Sequence, residues 1–309
     1  MLSLQEFGEA LAPELEKLFE GCKITVSETL KVNDTKMTTV IIQKNEVNLG
    51  MTLYLDEIYR HYKEGESLTV IATKLYEAYS SNIVTEPIDT KLFFDFNTIK
   101  SDIYCRLLNR QLNKELLKSV PHREFLDLAV VYYIEVKLPD LQSGTVMITD
   151  SLLDNWNGVD EKILYDTAIT NLSKQPYTIE NIVDILRSVV NGDFSTMFNL
   201  DESELDKMQT NCGMSIMRCP HVAFGSIALL NDKCLEECSK IYNGDFIILP
   251  SSVYELIIVP VDDTDDWAMD SSFLHNMVRE VNDTQVVDTE VLSYSVYKYC
   301  ADSKSLVII

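Results

Sequence analysis

Five residues that can bind a metal or act as nucleophiles fall close together in the C-terminal half of the sequence. They are Cys212, Cys219, His221, Cys234 and Cys238. Zinc sites use such ligands in closely spaced pairs, and a cysteine with a histidine base can serve as a nucleophile. However, Cys234 and Cys238 lie one helical turn apart on an apolar stripe, where a free cysteine behaves as a small buried hydrophobe. We therefore predict core cysteines, no bound metal and no disulfide.

Two further groups of polar residues have a chemical and a structural interpretation. Cys105 with His122 would be a second pair of thiol and base, but its spacing is not diagnostic, because catalytic partners meet in space rather than in sequence. The segment Pro121-His122-Arg123 would either bind an anion or cap the helix expected before it. For this segment we favour the cap. For the chain as a whole, catalysis by Cys/His pairs or by the many carboxylates stays open as an alternative.

No motif in the sequence predicts a cofactor. The densest carboxylate cluster is Asp262, Asp263, Asp265 and Asp266. It departs from the calcium-binding EF-hand pattern, because Trp267 stands at a ligand position and no glycine follows. With 10 glycines in 309 residues, the chain has neither a phosphate-binding glycine loop nor GxGxxG, and GxSxG and HExxH are absent as well. We expect the acidic segment to be a solvated loop.

A binding site, if the chain has one, is predicted where the Pro250-Ser251-Ser252 turn meets a helix over 271–281. The strands on both sides of the turn are almost wholly apolar, so they should be central and rigid, and rigid elements build good sites. The candidate residues for binding a ligand or partner are Ser251, Ser252, Glu255, Arg279, Asn282 and Thr284. The structural alternative is that Ser252 completes the turn and Arg279 pairs with Glu255 or Glu280.

The charge of the chain is strongly negative and unevenly distributed. The sequence has 26 basic and 49 acidic residues, a net charge of −23, and residues 151–309 hold 26 of the acids but only 10 of the bases. Nucleic acids and anionic membranes need clustered Lys and Arg, so neither is an expected partner. The acidic C-terminal half favours solubility, and it also offers a patch for a basic protein partner or for cations.

Periodicity predicts the elements that must position these residues, beginning with a helix–hairpin–helix layer at the N-terminus. The layer has helices over 4–18, 56–63 and 68–79 and strands over 23–30, 35–44 and 49–55. Because a hairpin alone is only marginally stable in water, the first and last of these helices should pack on one face of it. Leu75, on the apolar stripe of the third helix, should therefore be buried.

The rest of the sequence mixes strands with helices. The predicted strands are 125–136, 145–149, 214–219, 245–249, 253–259, 291–300 and 306–309, and the predicted helices are 113–119, 160–173, 178–190, 271–281 and one or two within 221–242. This order indicates an α+β fold, with mixed or antiparallel sheets and helices packed on them. We predict two subdomains, 1–85 and 86–309, with a further division near 191–212. The acidic N-terminus is no signal peptide and no apolar run can span a bilayer, so a cytoplasmic protein is expected.

Four segments together resemble a known protein family. They are Pro121–Tyr133, Gly244–Pro260, Met277–Val286 and Leu292–Tyr299. The family consists of proteins of similar length from Gram-positive gut bacteria, and it is catalogued as a domain of unknown function. The resemblance covers most of the chain in the same order. It implies a bacterial cytoplasmic protein, and it implies no activity, cofactor or catalytic residue.

The sequence thus predicts a non-enzymatic binding or regulatory protein that acts through protein contacts. The absence of catalytic motifs, the few glycines and the acidic C-terminal half favour this interpretation. The alternative is an unrecognised hydrolase or transferase. A pocket with convergent polar groups would favour the enzyme, and an exposed apolar or acidic patch would favour the binding protein.

Overall fold

The computed structural model describes residues 1–87, 89–136, 144–190, 213–250, 252–261 and 271–309. The chain divides into two compact units, Met1–Leu92 and Phe93–Ile309. The predicted domain boundaries stay a prediction. Cys212, Ser251 and the acidic segment 262–266 lie outside the described residues, and so do the expectations stated for them.

The N-terminal unit is a three-stranded antiparallel sheet with helices on it. Its elements are α1 (Leu4–Leu18), β1 (Cys22–Leu30), β2 (Lys36–Lys44), β3 (Gly50–Tyr54), α2 (Leu55–Lys63) and α3 (Leu68–Tyr79). The strands follow the order β1-β2-β3. α1 begins at a capping box, in which Ser3 Oγ accepts the backbone N–H of Glu6 at 3.3 Å while the Glu6 carboxylate accepts the Ser3 N–H at 2.8 Å.

The core of this unit confirms the predicted elements and the burial of the α1 and α3 stripes. One cluster joins the apolar stripes of α1 and α3 to the sheet: Phe7, Leu11, Leu15, Phe19, Ile24, Val40, Ile42, Leu53, Leu55, Ile71, Ala72 and Leu75. Leu75 is 8% exposed, as the helical periodicity predicts. α1 packs directly on β1 and β2, whereas α3 packs chiefly against α1, so α1 supplies the cover that a hairpin needs for stability in water.

The larger unit begins with a four-stranded antiparallel sheet. Its elements are α4 (Phe96–Ile99), β4 (Ile103–Asn109), β5 (His122–Phe125), β6 (Leu128–Val136), β7 (Gly144–Met147), α5 (Asp150–Leu153) and α6 (Glu161–Leu172). The strand β6 is central, since β4 pairs along one side of it while β5 and β7 pair with it as well. Seven consecutive residues at its start are buried, which fits the prediction of a strand covered on both faces.

A six-stranded antiparallel sheet forms the rest of this unit. Its elements are β8 (Thr178–Asn181), α7 (Ile182–Val190), β9 (Ser215–Arg218), α8 (Asp232–Ile241), β10 (Phe246–Leu249), β11 (Leu256–Pro260), α9 (Ser271–Thr284), β12 (Tyr297–Cys300) and β13 (Ser305–Ile308). The strand order is β13-β12-β10-β11-β9-β8. With three antiparallel sheets and helices packed on them, the predicted α+β fold class is confirmed.

The two faces of the six-stranded sheet are covered by different elements. Side chains alternate along β10, so Ile247 and Leu249 pack with Leu274 and Val278 of α9. Phe246, on the opposite face, belongs to the large core that also contains residues of the four-stranded sheet. Phe273, in the first turn of α9, is 47% exposed and so lies off the face that packs on the sheet.

Several predicted elements differ in the structure. A 3-10 turn at Leu116–Lys118 stands where the helix 113–119 was expected. The expected strand 125–136 is β6, which begins at Leu128, because Leu126 takes a φ of +54° and the chain reverses between the end of β5 at Phe125 and the start of β6. His122 and Arg123 lie in β5 rather than after a helix, so the predicted helix cap is wrong.

Two further elements begin later in the chain than predicted. The expected helix 178–190 begins at Ile182, since residues Thr178–Asn181 form β8 and the Asn181 side chain accepts the N–H of Val183 at 2.9 Å. The expected strand 291–300 is confined to its last four residues, β12.

Among the helices of the described ranges, none combines the length and apolar character needed to cross a bilayer.

Candidate functional site

Arg106 is a buried cation in the middle of β4. Arg106 is 8% exposed, and its Nε atom is buried without a hydrogen-bond partner. The guanidinium carbon Cζ lies over the ring of Phe224, 3.5 Å from the ring centroid. Within the described ranges no carboxylate forms a salt bridge with it, and the groups that act on its charge are two phenols. A charge taken out of water costs several kcal/mol unless it is paired. Since the described residues supply no counter-charge, the burial of this cation is costly.

The four-stranded sheet places this arginine among aromatic rings. In the register of β4 with β6, Arg106 lies opposite Val131 and Tyr104 lies opposite Tyr133. Opposite residues of an antiparallel pair share one face, so the Tyr133 ring is a diagonal neighbour of Arg106. Its centroid is 5.4 Å from that of Phe224, edge to face, and 6.1 Å from that of Tyr104.

The segment that carries Phe224 is held by a close approach of two backbones. A Cβ atom on Gly225 would lie 2.2 Å from the carbonyl oxygen of Tyr254, so only glycine fits there. The next residue, Ser226, donates from Oγ to the carbonyl of Val253 at 2.7 Å. These contacts fix the turn that ends at Gly225 against the segment 252–254, and they bring Phe224 and Tyr254 to the arginine.

Tyr254 forms the solvent-exposed side of the site. This residue is 45% exposed, and its hydroxyl donates to Glu290 Oε1 at 3.1 Å. The backbone N–H of Val253 donates to the carbonyl of Glu290 at 3.0 Å, so the two segments are joined twice. Burial and the nearby Glu290 carboxylate raise the pKa of the Tyr254 phenol, which therefore stays a hydrogen-bond donor at neutral pH.

The electrostatics of the site favour an incoming anion. Burial lowers the pKa of Arg106 from 12.5 to about 10, so the group is still protonated at pH 7 but poorly solvated. The Tyr133 hydroxyl is also buried, it faces the backbone of Ala223 outside hydrogen-bond geometry, and burial raises its pKa. The Arg106 guanidinium and the Tyr133 hydroxyl have donors without an acceptor among the described residues, whereas the Tyr254 hydroxyl already donates to Glu290, so the arrangement favours an anion.

Five of the six site residues predicted from the sequence lie in two groups. The sixth, Ser251, lies outside the described residues. Ser252 forms a backbone bridge to Val291, and its Oγ accepts the N–H of Tyr254 at 3.1 Å. The carboxylate of Glu255 is 3.9 Å from Arg218 Nη1. These two residues flank Tyr254, so the predicted turn and the Arg106 site share one segment of chain.

The other predicted residues lie on α9. Arg279 is exposed, and Thr284 donates from its exposed hydroxyl to the carbonyl of Glu280 at 2.7 Å. Asn282 is buried and donates to the carbonyl of Ser293 at 2.9 Å, while the N–H of Ser293 donates to Pro250 at 2.9 Å. The end of the helix is thus linked to the predicted turn through Ser293. Their role in binding stays a prediction.

The prediction of core cysteines is confirmed for the cysteines at the centre of the larger unit. Cys105, Cys219, Cys234 and Cys238 are buried in the large core. Burial raises the pKa of Cys219 to about 11 and those of Cys105 and Cys238 to about 12. A buried thiol of raised pKa is a poor nucleophile and a poor metal ligand. Across the described ranges, no cluster of His, Cys, Asp and Glu has the arrangement of a metal site.

Two other polar clusters of the larger unit are internally satisfied. Arg123 holds Glu161 with two hydrogen bonds of 3.2 and 2.9 Å, stacks over Tyr165, and shares Glu161 with the hydroxyl of Tyr132. Asp127 accepts hydrogen bonds from Ser293, Ser295 and Tyr297. Because their charges are already matched by donors, these clusters stabilise the fold and leave no group free for a ligand.

Sequence reasoning missed Arg106, Phe224, Tyr133 and Tyr254. One local signal was present, namely an arginine inside the apolar run Ile103–Leu108. Charged residues are almost never fully buried unless they are paired or functional. The aromatic residues gave no signal of their own, because they reach the arginine only through the pairing of β4 with β6 and the contact at Gly225.

Comparison with known proteins gives the family of the chain. No curated protein and no solved structure matches it. Residues 4–301 match a family described as "Family of unknown function (DUF5688)". This match covers both compact units, and it agrees with the resemblance carried by the segments around residues 121–133 and 244–260. The chain therefore belongs to the DUF5688 family.

Proposed function

We propose that this protein is a non-enzymatic binding protein whose ligand presents an anionic group to Arg106. The observation that supports the proposal is a guanidinium that is buried, stacked on Phe224 and without a carboxylate partner among the described residues. Such a group is costly in the unliganded protein, and an anion that supplies the missing charge recovers part of that cost as binding free energy.

The chemistry around the arginine favours binding over catalysis. The neighbouring hydroxyls belong to phenols of raised pKa, and the core thiols are protonated at neutral pH. General-base and nucleophilic catalysis both need a group that gives up or accepts a proton near the working pH. The alternative function, a hydrolase or transferase using Cys/His or carboxylate chemistry, receives no support from these groups.

A protein partner is the second part of the proposal. Residues 151–309 hold 26 acidic and 10 basic residues, and this excess favours a basic protein surface as the partner of the C-terminal half. The function is then regulatory, with ligand and partner bound by the same unit of the chain. A bacterial cytoplasm is the setting that we predict for it.

Anion binding can be tested by thermal unfolding of the full chain in phosphate or acetate, at constant ionic strength set with chloride. A ligand that binds only the folded state raises the stability by about 2.7 kcal/mol at a hundred times its Kd. We expect at least one anion to stabilise the wild type by an amount that grows with the logarithm of its concentration above the Kd, and we expect no stabilisation of the Arg106→Met variant. Arg60→Met removes an exposed arginine of the N-terminal unit and serves as the matched control.

A third variant separates this site from the one predicted on α9. Arg279→Met should keep the response to anions, because Arg279 is exposed on a different element. Loss of the response in Arg279→Met alone would favour the predicted junction of turn and helix and contradict the Arg106 proposal. An unchanged response in Arg106→Met would also contradict it.

A further inference from the structure

We propose that Asn157 is a site of spontaneous covalent modification, where the asparagine cyclises with the backbone of Gly158 and becomes aspartate or isoaspartate, and that the fold directs this reaction to it. The sequence has three Asn-Gly pairs, at 157–158, 191–192 and 243–244. The second pair lies outside the described residues. In the other two the asparagine is exposed, but the pairs differ in what holds the backbone N–H of the glycine. The proposal is independent of the proposed anion binding.

Asn157 and Gly158 form the tip of a tight turn. The N–H of Val159 donates to the carbonyl of Trp156 at 3.1 Å, so the two reacting residues are the central residues of the turn. Gly158 has a φ of +77°, and a Cβ atom built on it would contact nothing within 4 Å beyond the adjacent residues. Among the hydrogen bonds of the described residues, none is formed by the Asn157 side chain or by the Gly158 N–H. No described contact therefore holds the two reacting groups apart.

The reaction needs only these two residues and water. The Gly158 nitrogen attacks Cγ of Asn157 and gives up its proton, while the Cγ–Nδ2 bond breaks and the side-chain nitrogen leaves as ammonia. Glycine favours this step because it has no Cβ atom beside the attacking nitrogen. The product is a five-membered succinimide ring. Water then opens the ring at Cγ to give aspartate, or at the main-chain carbonyl carbon to give isoaspartate.

The pair Asn243 and Gly244 has the same sequence but a different hydrogen-bond pattern. It follows α8, and the Gly244 N–H donates to the carbonyl of Ser239 at 2.9 Å, while the Ser239 hydroxyl donates to the carbonyl of Gly244, also at 2.9 Å. These bonds satisfy the C-terminal end of the helix. The Gly244 nitrogen must give up its hydrogen bond before it can attack, which raises the barrier. The fold therefore protects Asn243 and leaves Asn157 reactive.

The turn that carries Asn157 is anchored on both sides. Before it, Trp156 is buried, and its Nε1 donates to the carbonyl of Phe93 at 2.8 Å. After it, Asp160 caps α6 by accepting the N–H of Ile163 at 2.9 Å. Isoaspartate inserts one backbone methylene between these anchors, whereas aspartate only adds a charge at the exposed tip. The isoaspartate product is therefore the one that disturbs the turn.

The proposal can be tested by incubating the full chain at about pH 8, where the fold is stable, and following each asparagine by peptide mass spectrometry. We expect Asn157 to lose its side-chain amide at least about ten times as fast as Asn243, because the hydrogen bond of Gly244 raises the barrier at the second site. Aspartate and isoaspartate should both appear at position 157, since the succinimide opens at either carbonyl.

Two controls separate the effect of the fold from that of the sequence. In the chain unfolded by urea the hydrogen bonds of Gly244 are lost, so Asn157 and Asn243 should react at similar rates. The variant Asn157→Gln keeps an exposed amide but lengthens the side chain by one methylene, which disfavours the five-membered ring. This variant should fold as the wild type does and lose the reaction at position 157.

Three results would overturn the proposal. Equal or slower reaction at Asn157 than at Asn243 in the folded protein would mean that the turn does not favour cyclisation. The same preference for Asn157 in urea would mean that the neighbouring sequence, and not the fold, directs the reaction. Aspartate without isoaspartate would indicate direct hydrolysis of the side-chain amide. None of these results bears on anion binding, which Arg106→Met tests separately.

Discussion

At the scale of single residues, the energetics of this protein are most unusual at Arg106. The surrounding rings offset part of its cost, since a cation over a desolvated aromatic face gains up to about 2 kcal/mol. This gain is smaller than the desolvation penalty of an unpaired ion, which amounts to several kcal/mol. Its lowered pKa, about 10, expresses the same imbalance. Arg106 therefore lowers the stability of the unliganded fold.

We predict that Arg106→Met raises the free energy of unfolding of the unliganded protein by about 1–4 kcal/mol, because a flexible apolar side chain replaces a buried charge. Urea unfolding in chloride buffer at pH 7 measures the change. The matched variant Arg106→Lys keeps the charge but loses the guanidinium contact with the Phe224 ring, so it should be less stable than the wild type. A loss of about 3 kcal/mol or more in Arg106→Met would indicate that the charge is satisfied within the protein.

At the scale of elements, the loop between β5 and β6 is joined to the C-terminal segment by one carboxylate. Asp127 Oδ2 accepts the hydroxyls of Ser293 at 2.6 Å and Ser295 at 3.0 Å, while Oδ1 accepts that of Tyr297. Burial and this carboxylate raise the pKa of the Tyr297 phenol. The network positions the start of β12, and with it one side of the six-stranded sheet.

We predict that Asp127→Asn destabilises the fold by about 1.5–3 kcal/mol, because an amide nitrogen cannot accept the hydroxyls that a charged oxygen accepted. Chemical denaturation at pH 7 measures it. Asp283→Asn is the matched control, since Asp283 accepts one exposed tyrosine hydroxyl at 3.0 Å, and it should change stability by less than about 0.5 kcal/mol. Equal effects of the two substitutions would contradict a structural role for the network.

The elements also explain what the sequence could predict. α1, the first hairpin and α3 were predicted closely, because an uninterrupted apolar period such as that of Leu11 and Leu15 fixes both the type of element and its buried face. β4 was missed because a buried arginine breaks its apolar pattern. β8 was assigned to the following helix, since Ile179 continues the helical stripe of α7 by coincidence. The site itself depends on tertiary contacts, and its one local signal is the arginine inside the apolar run of β4.

At the scale of the whole molecule, the buried thiols make the fold sensitive to alkali. Four cysteines lie in the large core, and those with pKa values of about 11 to 12 keep their protons in the folded state. In the unfolded chain the same thiols lose their protons near pH 9, so the unfolded state binds fewer protons above that pH. Stability is therefore complete below about pH 8.5 and falls as pH rises toward the folded-state values.

We predict that the free energy of unfolding falls between pH 9 and 10.5, and that each buried thiol contributes up to about 1.4 kcal/mol per pH unit to the slope. Guanidinium unfolding at several pH values measures it. Cys238→Ala should lower stability at pH 7 but reduce the alkaline slope by one thiol's share. Val259→Ala, a buried control without a titratable group, should lower stability and keep the wild-type slope. Identical slopes in both variants would rule out the thiols as the cause.

The close approach at Gly225 has a consequence for the history of the protein. A Cβ atom 2.2 Å from the Tyr254 carbonyl oxygen cannot be accommodated by a change of rotamer, because no side-chain rotation moves a Cβ atom and the carbonyl belongs to the backbone. Any lineage that accepts a larger residue there must separate the two segments. Phe224 then moves away from Arg106, and the arginine loses its aromatic contact. We therefore expect glycine at 225 and arginine at 106 to be inherited together and lost together. The lineages in which both residues change would then mark where the site was gained or lost.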